Sequence, residues 1–319
     1  MKKVVVIGGG HGQSTIVRGI KDINDINLKC IVTVADDGGS TGRLRELYNI
    51  PAVGDIRNVL LAMSEQEASI HKLLDYRFEG DSETDVFGHS FGNLMMVALM
   101  NLNNGSLVSA IKEIGKLLNV KGRVFPSSLE VLTLYAENID GTITRGEANI
   151  PKAKNRINRI YYDHDVKADD DAINAILEAD LLIYGIGSLY TSIAPITVIN
   201  EIGEALDKTK AKKIYFANCM TQKGETYDYD LKDHIDALKK HNAKIDLVIR
   251  HNNPIPQEIL ERYYAEDSIE VVNNRKVDVP VIERDLLDFS KNNVRHSPDK
   301  IRRVVEEILE DCWCPFQQI

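Results

Sequence analysis

Cysteine is scarce: four residues in 319, with no CxxC pair among Cys30, Cys219, Cys312 and Cys314. A disulfide framework and a zinc knuckle are therefore not expected, and only the close pair Cys312 and Cys314 leaves a minor metal option open. Glycine and proline together number 21 + 9 = 30 residues, about 9% of the chain. That is far below the roughly 25–30% of low-complexity sequence, so a folded protein is expected. Basic residues are outnumbered, 39 Lys and Arg against 48 Asp and Glu, for a net charge of -9. A nucleic-acid backbone is thus excluded as the main ligand. Long apolar runs are missing too. The longest, Leu94 to Met100, falls well short of the ~20 residues that span a bilayer. The apolar run Val4 to Ile7 is too short for a signal core and reads as a first strand, so a cytoplasmic protein is expected.

What is present is an alternation. Short β-branched runs (residues 3–7, 29–35, 181–184, 213–217 and 244–249) read as strands buried on both faces. Amphipathic stretches such as 195–206 and 230–240 supply the crossovers that parallel strands require. The pattern predicts an α/β, Rossmann-like, doubly wound fold with a mainly parallel sheet. An inserted region, about 66–162, is helical at first and then, from Arg123 to Tyr162, alternates as an antiparallel subsheet. One embellished domain over 1–319 is expected. It closes on a helix with Pro298 in its first turn and Ile301, Val304, Val305, Ile308 and Leu309 at helical spacing.

The chemistry-bearing residues gather where strands end. Gly8, Gly9, Gly10, His11 and Gly12 follow the first strand, a glycine turn whose backbone N–H groups suit an anion at a helix start. Gln13 stands where the dinucleotide fingerprint wants a third glycine, so that match is partial. Asp36 lies 24 residues beyond Gly12, near the place of a ribose-binding acid. Asp37, Gly38, Gly39, Ser40 and Arg43 follow it in a turn suited to a diphosphate, with or without magnesium. Asp55, Arg57 and Asn58 pack an acid, a guanidinium and an amide together. Gly88 to Gly92 spells G-x-S-x-G around His89, but an acidic loop precedes it where a nucleophile elbow needs a strand. A glycine-rich helix start, with Asn93 reaching a ligand, is the better reading. Gly185, Gly187, Ser188 and Thr191 follow one more strand run, and Asn218, Thr221 and Gln222 another. Arg295 and His296, before the last helix, are placed either to close over a ligand or to serve the surface. Ligands of open parallel sheets sit outside the carboxyl ends of the strands, so these segments are predicted to converge on one cleft for a polar, phosphorylated molecule.

The signatures GGGHG (8–12), ADDGGSTGRLR (35–45), GDIRN (54–58), GHSFGN (88–93), GRVFPSSLE (122–130), RGEANIP (145–151), GIGSLYTSI (185–193), NCMTQKGET (218–226) and RHSP (295–298) resemble those of the YvcK/CofD family, in its YvcK-like branch. The chain departs at His11, Ile186 and Lys223, where threonine, proline and proline are usual. The resemblance implies a Rossmann-like fold and a UDP-sugar-binding factor of cell shape, morphogenesis and wall synthesis during gluconeogenic growth, with cell-wall or regulatory proteins as partners and a homo-oligomeric state. Its alternative is a phospholactyl-type transferase that moves a phosphorylated group from a nucleotide diphosphate donor to a deazaflavin-like acceptor. Asp37 and Asp55 would then hold magnesium. NAD or a GDP-type nucleotide are the other bound species expected, although no acid-base pair for hydride chemistry stands out.

Overall fold

Val4, Val5, Val6 and Ile7 are all fully buried, as only the central strand of a sheet covered on both faces can be. In the computed structural model, which describes residues 1–82, 84–153 and 155–310, these residues form strand β1 (Lys2–Gly8). The chain continues through α1 (Gly10–Ile20), β2 (Ile26–Val32), α2 (Gly39–Tyr48), α3 (Gly54–Met63), α4 (Glu67–Leu74), α5 (Phe91–Leu102) and α6 (Leu107–Leu117) to β3 (Arg123–Pro126). Then come β4 (Tyr135–Asn138), β5 (Ile143–Arg145), a 3-10 turn (Glu147–Lys152), β6 (Ile157–Tyr161), α7 (Asp170–Leu177) and β7 (Leu181–Tyr184). A π-helical turn (Leu189–Ile193) leads into α8 (Ala194–Thr197), α9 (Asn200–Lys208), β8 (Lys212–Phe216), α10 (Leu231–Lys240), β9 (Leu247–His251) and α11 (Gln257–Ala265). The short β10 (Val281–Arg284), β11 (Leu287–Asp288) and β12 (Arg295–His296) precede α12 (Pro298–Glu310).

Seven of these strands form one parallel sheet in the order β10-β9-β8-β7-β1-β2-β3. From β1 the chain steps one way to β2, and from β7 it steps the other way to β8. Right-handed crossovers therefore place α1 and α7–α10 on opposite faces, and the order reverses between β1 and β7. In agreement, α1, α3, α6 and α12 pack as one group while α7, α8 and α9 pack as another. The doubly wound, mainly parallel fold is as the alternation predicts.

Two strands of that sheet were not read as such from the sequence. Arg123–Pro126, expected in the antiparallel insertion, is the edge strand of the main sheet, and the antiparallel sheet is confined to β5-β4-β6. Only four residues pair there, too few for a period to distinguish parallel from antiparallel. β10, at the other edge, is only partly buried and lacks the apolar run that marks its neighbours. The expected helix 195–206 is broken at Val198–Ile199 into α8 and α9. α10 starts as its sequence suggests: the Asp230 side chain accepts from Asp233 N–H and the Asp233 side chain accepts from Asp230 N–H, a capping box. Among the described residues, no helix is long and apolar enough to cross a membrane. Cys312 and Cys314 lie outside the described residues.

Candidate functional site

A cavity of about 520 Å³ opens at the reversal between β1 and β7, where an open α/β sheet leaves its ligand crevice. From the first loop it takes Gly9, Gly10, His11 and Gly12, and from the loop after β7 it takes Gly187 and Ser188. These two loops touch. A Cβ on Gly12 would stand 1.1 Å from the Ile186 carbonyl oxygen, so only glycine allows the approach. The loop after β8 adds Asn218, Thr221 and Gln222, and Arg295 closes one side. The Asn218 amide spans the loops, donating to Gly187 O at 2.9 Å while its Oδ1 accepts from Tyr215 OH at 3.0 Å.

Gln13, the residue that breaks the fingerprint, is fully buried behind the glycine turn. Its Nε2 donates to Val6 O at 2.9 Å and to Ile31 O at 3.0 Å. The side chain thereby fastens the first turn of α1 to β1 and β2, so Gln13 shapes the turn from below and does not reach the cavity.

Three carboxylates stand in the polar wall. Asp36 and Asp55 face the cavity together with Glu147, and Glu225 lies just behind Ser188. Arg45, buried on α2, holds the Asp36 segment in place by donating to Asp36 O at 2.7 Å, to Ala35 O at 3.2 Å and to Leu132 O. Asp55, in the first turn of α3, accepts the Gly10 N–H, so a carboxylate already sits at the start of α1. Burial, reinforced by the Asp36 charge, pushes Asp55 up to about 7. Burial also raises Asp36. Glu147 rises to about 8 through burial and then the charges of Asp36, Asp55 and Glu225. Glu225 reaches about 7 by burial, although Ser188 Oγ, Tyr190 N and Thr191 Oγ1 all donate to it. Carboxylates so perturbed and gathered in one cleft mark a functional site.

Of the residues singled out in the sequence, Gly9, Gly10, His11, Gly12, Asp36, Asp55, Gly187, Ser188, Asn218, Thr221, Gln222 and Arg295 line this cavity. Gly8, Gly185 and Thr191 stand directly behind it: Gly8 O accepts from Thr33 N, Gly185 N donates to Ile7 O, and Thr191 N donates to Ser188 Oγ. Asp37, expected as a metal ligand, does not line it. Its Oδ1 accepts from Ala148 N at 2.8 Å, so it anchors the 3-10 turn that carries Glu147, and Asp36 stands in the wall in its place. Gly38 and Gly39 begin α2 beside it. Ser40, Arg57, Asn58, His89 and Asn93 form a separate buried network. Ser40 Oγ meets His89 Nδ1 at 2.8 Å, Asn93 Nδ2 donates to Ser40 Oγ at 3.2 Å, and Arg57 donates to Ser90 Oγ, Asn93 Oδ1 and Asn58 Oδ1 and pairs with Asp75. This network ties α2, α3 and α5 together. Ser90 caps α5 by accepting from Asn93 N, so the G-x-S-x-G stretch opens a helix, as expected, and is not a nucleophile elbow. Arg43 donates to Phe87 O at the rim of the network.

Glu147, Glu225 and Cys219 were missed, whereas His296 lines the cavity beside Arg295, in the segment expected to close over a ligand. The three missed residues lie inside motifs rich in glycine and hydroxyl groups, the residue types that most directly suggest a phosphate site. Cys219 Sγ lies 3.2 Å from His296 Nδ1, but burial pushes the thiol up and the imidazole down to about 3, so the pair is neutral. It is not an activated nucleophile, which requires a thiolate.

A model of the family described as 2-phospho-L-lactate transferase CofD matches residues 4–287. The chain belongs to the YvcK/CofD family. It is 38% identical over 316 residues to a Bacillus subtilis protein named gluconeogenesis factor, covering 97% of this chain and 98% of that protein. A Listeria innocua protein of the same name is 41% identical, with 94% and 93% covered. A crystal structure of a Bacillus halodurans protein superposes with a TM-score of 0.91 at 38% identity, over 96% of this chain and 99% of that one. These similarities span the strands and loops that build the cavity.

Proposed function

We propose that the chain binds a nucleotide diphosphate sugar, a UDP-sugar in the first instance, in the cavity between the β1 and β7 loops. The observation that carries this reading is the composition of that one cavity. A helix start offers backbone N–H groups, Arg295 offers a guanidinium, and Ser188, Asn218 and Gln222 offer hydroxyl and amide groups. Gln222 Oε1 is buried without a hydrogen-bond partner, as suits an atom awaiting a sugar hydroxyl or base N–H. The relatives named gluconeogenesis factor support a role tied to gluconeogenesis; in our reading that role is a cytoplasmic, regulatory one in cell shape and wall synthesis, in which the bound state would report nucleotide-sugar supply to partner proteins.

Magnesium fits this cavity. Among the described residues no three His, Cys, Asp or Glu side chains are arranged to hold a metal ion. Asp36 and Asp55, however, face the same space and disfavour each other's charge. Magnesium is commonly held by one or two carboxylates and shared with substrate phosphates, so Asp36 and Asp55 would hold it. It would supply charge neutralisation between carboxylates and diphosphate.

The second reading is a transferase that passes a phosphorylated group from a nucleotide diphosphate donor to a deazaflavin-like acceptor. Asp55 and Glu147 favour it, because groups that titrate near neutrality suit proton transfer. A thermal-shift panel of UDP-sugars, NAD and GDP, each with and without magnesium, tests the first reading. A UDP-sugar at 100 times its Kd should stabilise the chain by about 2.7 kcal/mol. A shift with NAD and none with UDP-sugars would overturn it. Product formation followed by phosphorus NMR, dependent on donor, acceptor and metal together, would favour the second.

A further inference from the structure

A second cavity, of about 370 Å³, lies at the sheet edge between α6 and β3 and shares no lining residue with the first. Leu60, Val108, Ile111, Val124 and Phe125 give it apolar walls. A buried carboxylate lies among them. Asp169, at the N-cap of α7, is 8% exposed, and its Oδ2 is buried with no hydrogen-bond partner. An orphaned carboxylate oxygen against an apolar wall calls for a donor from elsewhere.

The mouth carries the opposite charge. Lys112 and Lys116 line it from successive turns of α6, and among the described residues neither forms a salt bridge. Like charges four apart on a helix repel, and an anion bridging them relieves that repulsion. Arg123 stands beside them, packed over the Phe125 ring at 5.0 Å. A volume of this size lies within the range of small-molecule sites, about 300–1,000 Å³, which are apolar with a few placed polar groups. An added strand fits less well, because β3 pairs only four residues and ends in Pro126.

We propose that this cavity binds a small amphipathic anion: an apolar body between α6 and β3, a hydroxyl donating to Asp169 Oδ2, and an anionic head on Lys112 and Lys116. The experiment uses the full chain with 3-hydroxydecanoate and decanoate as probes, followed by calorimetry. The hydroxy acid should bind saturably with one site per chain and at least fivefold more tightly than decanoate. Lys112→Glu should weaken it at least tenfold, and Val108→Trp, which fills the cavity from a half-buried position, should abolish it. Both variants should keep the parent's circular dichroism and its response to UDP-sugars, because neither position touches the first cavity. Three results overturn the proposal: no saturable binding of 3-hydroxydecanoate, unchanged affinity in both variants, or displacement of the probe by a UDP-sugar. Equal affinity for the two probes removes Asp169 from the site, and with it the hydroxyl requirement. Should either variant melt early, the separate Lys116→Glu variant, exposed on α6, carries the same test.

Discussion

Replacing Gly12 by alanine tests the arrangement on which the candidate site depends. The new Cβ would stand 1.1 Å from Ile186 O and 2.8 Å from Gly187 Cα, and ordinary contact begins at 3.4 Å, so the loops must part by 3.4 − 1.1 = 2.3 Å. Both obstacles are backbone, so no side chain can swing away. Overpacking of this kind costs about 1–3 kcal/mol, and a backbone clash belongs at the upper end. With about 2.1 cal/mol/K of unfolding entropy per residue over 319 residues, about 3 kcal/mol lowers Tm by on the order of 4–5 °C. Affinity for a UDP-sugar should fall much further, since the parted loops would misplace the N–H groups proposed to meet its diphosphate. Gly39→Ala is the internal control. Gly39 has φ +47° with nothing within 4 Å of a Cβ, so the variant should lose only about 1 kcal/mol of stability to backbone strain and leave binding nearly intact. Calorimetric melts and titrations of both variants decide the matter. A Gly12→Ala chain that melts within about 1 °C of the parent and binds equally well refutes the contact between the two loops.

Three further outcomes follow from the same geometry. Gln13→Glu sets a carboxylate against the Val6 and Ile31 carbonyls and should lose about 3 kcal/mol or more in urea unfolding, well beyond Gln13→Met, which removes the two hydrogen bonds for about 1–3 kcal/mol; equal losses would sink this account. Glu225 binds its proton more tightly folded (about 7) than unfolded (4.5), so its contribution is fully present below pH 4.5 and fades as pH rises to 7, on the order of 3 kcal/mol in all. Glu225→Gln should flatten that part of the stability curve, while the buried His296, shifted the other way, keeps its fall toward acid; a difference curve that is level between pH 4.5 and 7 contradicts the assignment. Asp37→Ala should leave the unfolding free energy within about 1 kcal/mol of the parent but speed hydrogen exchange at Ala148 and weaken UDP-sugar binding through Glu147; unchanged exchange at Ala148 removes Asp37 from that role.

The fold was legible where burial imposes a pattern. β7 and, from Val4 on, β1 are buried, so those residues run apolar without interruption, and the turns after them had to contain glycine because the two loops meet. β3 and β10 escaped because edge strands need no such run. In the site, the backbone donors and Asp36 could be inferred from their distance along the chain, whereas the choice between Asp36 and Asp37 could not. Adjacent residues in an irregular segment point in different directions, and which carboxylate faces inward is set by Arg45 on the neighbouring carbonyls, by Gly38 N on Asp36 and by Ala148 N on Asp37. Glu147 and Glu225 come from segments whose approach depends on the whole sheet, and no local spacing announces it.

Asp55 has one more consequence. Because its carboxylate already takes the Gly10 N–H, the helix start holds a resident anion of its own. An arriving phosphate therefore acts as a rival and not as a newcomer, and its affinity reflects the difference between two negative groups competing for the same donor. Whatever draws Asp55 aside, whether a proton or a cation, would set the threshold of that exchange, so occupancy by the proposed nucleotide would respond to acidity and divalent ions as well as to its own concentration.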